Sequence, residues 1–70
     1  MTNYDLASIL AKNNVGEQEA IEGYLQLLTI PHLPKELADD IREIIADEMN
    51  HSMLLSKWMT NLTNIQMAKD

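Results

Sequence analysis

Cysteine is absent from the 70 residues, which removes disulfides, thiolate zinc sites and cysteine-ligated redox centres. Phenylalanine is absent too, and aromatic residues amount to only 4% of the chain. Two glycines and two prolines supply too little turn chemistry for a multi-stranded sheet. Basic residues are few: five Lys and Arg stand against eleven Asp and Glu, a net charge of −6, with no basic run dense enough to follow a phosphate backbone. No nucleic-acid partner is therefore expected. No apolar run approaches bilayer length, and the start, Met1-Thr2-Asn3-Tyr4-Asp5, lacks a basic stretch leading into an apolar one. The expectation is a cytoplasmic protein with no membrane contact.

What is present is helical material. Apolar residues reach 46% of the chain, dominated by Leu, Ile, Met and Ala, which suit packing between helices. One small domain spanning residues 1–70 is all this length allows, and a lone core of that size supplies only a few kcal/mol. Association, a carboxylate or histidine metal site, or both are expected to supplement it.

Thr29-Ile30-Pro31-His32-Leu33-Pro34 divides the chain, because two prolines three apart stop one helix and let the next begin. Helix one is predicted from about Tyr4 to Thr29, and helix two from about Pro34 to Gln66. Asn13-Asn14-Val15-Gly16 weakens the first helix internally. Asn14 followed three residues later by Glu17 resembles a capping box, so a kink or restart is expected there. Glu36, Asp39 and Asp40 favour the positive end of the second helix's dipole. A short connection implies an antiparallel hairpin. Its uncovered apolar stripe calls for a second copy, and two hairpins related by two-fold symmetry form a four-helix bundle.

The informative residues are the polar ones inside the apolar stripes. At about 100° per residue, Leu37, Ile41, Ile44, Ile45, Leu55, Met59 and Leu62 lie within about 60° of Glu48, and so does His51. Glu48-Met49-Asn50-His51 thus sets a carboxylate and an imidazole at i and i+3 on the core-facing side. An unpaired ionised carboxylate there costs several kcal/mol and calls for a proton or a cation. On helix one, Ala20, Ile21, Tyr24 and Leu28 share the face of Glu17, whereas Glu19 and Glu22 point away by about 140° or more. Doubled across a two-fold, Glu17, Glu48 and His51 make four carboxylates and two imidazoles. This is the set with which helix bundles hold two iron or manganese ions.

Glu17-x-x-Ala20-x-x-x-Tyr24 followed by Asp47-Glu48-x-x-His51 resembles the ligand pattern of the ferritin and rubrerythrin superfamily, over roughly residues 16–59. With a single pair of helices, the chain is similar to the encapsulated ferritins, whose two-helix subunits build the site at a dimer interface. The resemblance implies Glu17 as a terminal ligand, Glu48 as a bridging one, His51 as the nitrogen ligand and Tyr24 as a hydrogen-bond donor behind them. It further implies a homodimer or higher homo-oligomer with two Fe ions per dimer, Mn being the alternative, and ferroxidase oxidation of Fe(II) by O2. The cysteine-rich electron-transfer module of full rubrerythrins is missing.

Plainer readings stand beside these. Glu17 is also placed to cap a helix start, and Tyr24 to pack at an interface. Met49, Met53, Met59 and Met67 are packing or surface residues, His32 sits exposed in the turn, Trp58 is a packing anchor, and Asp39, Asp40, Glu43 and Asp47 form a solvated face. As a whole, the chain also fits a metal-free or merely metal-stapled helical dimer with a structural or interaction role.

Overall fold

The computed structural model describes residues 1–69, and they form two helices, α1 (Asn3–Leu27) and α2 (Lys35–Lys69), with no strand among them. Together they make a rod of 56 × 14 × 14 Å, a length that matches one 35-residue helix at about 1.5 Å rise per residue. No helix among the described residues is long and apolar enough to cross a membrane.

α1 opens with a capping box: Asp5 N–H donates to Thr2 Oγ1 (3.2 Å), and the Asp5 carboxylate accepts from Thr2 N–H (2.8 Å). The backbone donor of Thr2, then its hydroxyl, holds the Asp5 carboxyl below its ordinary 3.8. Because the folded state depresses this value, the cap's contribution is present above about pH 4 and is lost as pH falls through the lower folded value. The expected restart at Asn13–Gly16 does not occur, and α1 runs unbroken through it. Asn14 is free of capping duty because its side chain is engaged across the hairpin, as described below.

The last turn of α1 tightens as Thr29 N–H and Ile30 N–H reach back to the carbonyls of Gln26 and Leu27, both at 3.1 Å. His32 then takes the left-handed conformation, φ 64°, which turns the chain between Pro31 and Pro34. α2 begins one residue later than expected: Pro34 lies just outside it and accepts from Ala38 N–H at 3.0 Å. On the surface, Asp39 pairs with Lys35 (3.1 Å) and Arg42 (3.2 Å), exposed contacts worth a few tenths of a kcal/mol each.

The helices pack along alternating three- and four-residue steps: Ala7, Leu10, Asn14, Glu17, Ile21, Tyr24 and Leu28 against Ile41, Ile45, Glu48, Ser52, Leu55, Met59 and Leu62. Such spacing keeps one narrow stripe of each helix on its neighbour. Two helices cannot enclose that stripe, so Ile41, 4% exposed, is the only buried apolar residue among those described. The apolar arc of α2 is wider than α1 can cover. Leu37, Ile44, His51, Trp58 and Ile65, each seven residues from the next, run along an exposed flank, and the Lys57 ammonium lies 5.9 Å from the Trp58 ring centre.

A left-handed non-glycine residue costs about 1–2 kcal/mol, while glycine gives back about 0.4–1 kcal/mol through its freer unfolded chain. His32→Gly is therefore expected to raise stability by about 0.5–1 kcal/mol, seen as a higher urea midpoint at fixed protein concentration. An unchanged or lower midpoint contradicts strain in the turn. The cap supplies a second check. Amide protection in the first turn of α1 should fall as pH drops below about 4, and Asp5→Asn should abolish that pH dependence.

Candidate metal centre

Helical spacing and hairpin register together bring three of the sequence-predicted residues to one level of the rod. Glu48 and His51 stand one turn apart on α2, and antiparallel pairing sets Glu17 of α1 opposite them. One ligand atom from each of Glu17, Glu48 and His51 lies within 4.8 Å of the other two. Carboxylate oxygens and an imidazole nitrogen at this separation can converge on a single cation of the iron or manganese class.

Their surroundings differ. Glu17 and Glu48 are half-buried in the seam, whereas His51 lies on its rim with 55% of its side chain exposed. Within one hairpin His51 thus belongs to the uncovered flank, and the inward placement expected of it concerns the core of a two-hairpin bundle. The reason is angular: α1 covers the stripe of Ile41, Ile45, Glu48, Ser52 and Leu55, and His51 lies to one side of it with the exposed Ile44 and Trp58. Glu17 Oε2 is sealed from solvent and has no hydrogen-bond partner. The nearest cationic candidate is His51 Nδ1 at 3.7 Å, too long for a hydrogen bond. A groove of about 320 Å³ is lined by Leu10, Glu17, His51, Leu54, Leu55 and Trp58.

Tyr24 is half-buried on the same stripe as Glu17, two turns toward the loop. It donates nothing to the sealed Glu17 oxygen. Glu19 and Glu22 are exposed, as their angles require, and so are His32, Asp39, Asp40, Glu43 and Asp47.

One buried feature escaped sequence reasoning. Ser52, 9% exposed, accepts from Gln18 Nε2 at 2.7 Å and donates to Asn14 Oδ1 at 2.6 Å. The available signal was the placement of Ser52 four residues after Glu48 on the same face, with Asn14 and Gln18 four apart on the facing helix.

No family model, curated protein or solved structure matches the chain.

An orphaned, sealed carboxylate oxygen costs about 1–3 kcal/mol when nothing pairs with it. Glu17→Leu should therefore stabilise the chelator-treated protein by about 1–2 kcal/mol. Thermal melts in excess EDTA measure this, and a lower melting temperature for the variant contradicts the idea that Glu17 is a cost in the metal-free chain.

Proposed function

We propose that the protein is a di-metal carboxylate protein of ferritin-like type: two hairpins associate into a four-helix bundle, hold two Fe(II) ions between them and oxidise them with O2. What carries this reading is the closeness of one ligand atom each from Glu17, Glu48 and His51, together with a sealed Glu17 oxygen that lacks any donor. A cation is the partner that such an oxygen lacks. The donor set, two carboxylates and one imidazole per chain, fits iron and also manganese.

Two copies supply four carboxylates, whose charge two divalent ions neutralise. The exposed flank supports pairing, since Ile44 and Trp58 on either side of His51 are apolar and uncovered. A second hairpin on that flank buries them together with His51. In this arrangement Glu17, Glu48 and His51 of each copy would hold the ions, and Tyr24, on the stripe of Glu17, would be the hydrogen-bond donor to a carboxylate once the bundle closes.

Iron is the substrate: each of two Fe(II) gives up one electron, and one O2 takes both with two protons to leave as H2O2. The chain's own residues position the ions close together, offset their rising charge with carboxylates that can change binding mode, and exclude bulk water with the Leu10, Leu54 and Leu55 walls.

Anaerobic Fe(II) loading followed by air should give oxidation faster than in buffer, and Glu48→Ala should return the rate to that of buffer. Equal rates with and without wild-type protein contradict ferroxidase activity.

A second reading has an observation of its own. The Glu17–His51 approach of 3.7 Å could serve, with a protonated imidazole, as an ion pair in a metal-free helical dimer of structural or interaction role. Metal at about 100 times its Kd adds about 2.7 kcal/mol to the folded state. EDTA should thus lower the melting temperature of the metal-loaded protein under the first reading and leave it unchanged under the second.

A further inference from the structure

Beyond the level of Asn14, Glu17, Glu48 and Ser52 the seam is mainly aliphatic, and Leu, Ile and Ala contacts tolerate sliding by a helical turn, about 5.4 Å. A slide of that size would separate Glu17 from Glu48 and His51. The polar chain Gln18–Ser52–Asn14 lies at this level. Ser52 follows His51 directly and Glu48 by one turn, and Asn14 and Gln18 bracket Glu17. The single hydroxyl proton of Ser52 goes to Asn14 Oδ1 (2.6 Å), so its oxygen is left to accept from Gln18 Nε2 (2.7 Å). The directions are complementary and the buried hydroxyl is satisfied on both sides.

Sliding α1 by one turn places Ser52 between Leu10 and Asn14 in one direction, or between Gln18 and Glu22 in the other. The first offers no polar atom at one position, and the second draws a charged group into the seam. Only the observed register presents an amide donor and an amide acceptor to the hydroxyl.

We propose that Ser52, held between Asn14 and Gln18, is a positioning residue that locks the hairpin register and so presets the spacing of Glu17 to Glu48 and His51 before a cation binds. The proposal rests on the metal-binding reading above, and the test separates the two. The probe is Co(II), titrated into metal-free protein and followed by its visible absorption, which reports both affinity and coordination geometry.

Wild type should bind Co(II). Ser52→Ala should bind it about 10- to 100-fold more weakly, the usual effect of losing a group that orients ligands, and with shifted bands. Ser52→Thr, which keeps the hydroxyl, should restore both. If Ser52→Ala matches wild type in affinity and spectrum while Glu48→Ala abolishes binding, the register lock is overturned and the metal centre stands. If Glu48→Ala binds Co(II) as wild type does, the metal centre itself fails, and this proposal with it. Should Ser52→Ala lose helicity by circular dichroism, Gln18→Leu, which keeps the Ser52–Asn14 bond, carries the same comparison. Unchanged binding in that folded variant also overturns the lock.

Discussion

A carboxylate oxygen shut away from water must be offset by a donor or a cation, because its lost hydration is worth more than the packing gained around it. Glu17 Oε2 is such an oxygen, sealed and without a donor. Its neighbours could have been aliphatic, as Ile21 and Ile45 are one turn along the seam. Instead Glu48 and His51 each bring a ligand atom within 4.8 Å of a Glu17 carboxylate oxygen, which raises the local negative charge and adds a nitrogen ligand. The arrangement is costly as a core and sensible as a cation cradle.

The same tension governs the outer surface. A 35-residue helix with a wide apolar arc is paired with one helix that covers only part of it, and Leu37, Ile44, Trp58 and Ile65 stay exposed. His51 sits in the middle of that row. Covering the row and completing the coordination of a cation are, in the proposed dimer, one event: the surface that drives association by burial also carries the imidazole. Metal affinity and dimer stability would then be linked, each strengthening the other.

The two-helix architecture was legible because its signals are strong and local: two prolines three apart, apolar spacing of three and four, and acidic residues at the start of α2. The meeting of Glu17 with Glu48 and His51 was legible too, since helical angle and antiparallel pairing together define which side chains share a level. Asn14 was misread for a physical reason. A residue suited to capping is equally suited to a cross-helix hydrogen bond, and only the partner chooses between them. That partner, Ser52, looked like an ordinary small residue until Gln18 and Asn14 were seen on either side of it. His51 on the rim, and the left-handed turn at His32, depend on how far α1 reaches around α2 and how the loop closes. Angular counting on one helix carries neither.

The central claim is that this hairpin carries acid in its seam because two copies share cations there. Elemental analysis of the purified protein, combined with its mass in solution and repeated for Glu48→Ala, tests it most directly. The account predicts one iron-class ion per chain in a species of at least dimeric mass, with both the metal and the association weakened in the variant. A metal-free monomer, or an assembly whose metal content is indifferent to Glu48, would contradict it.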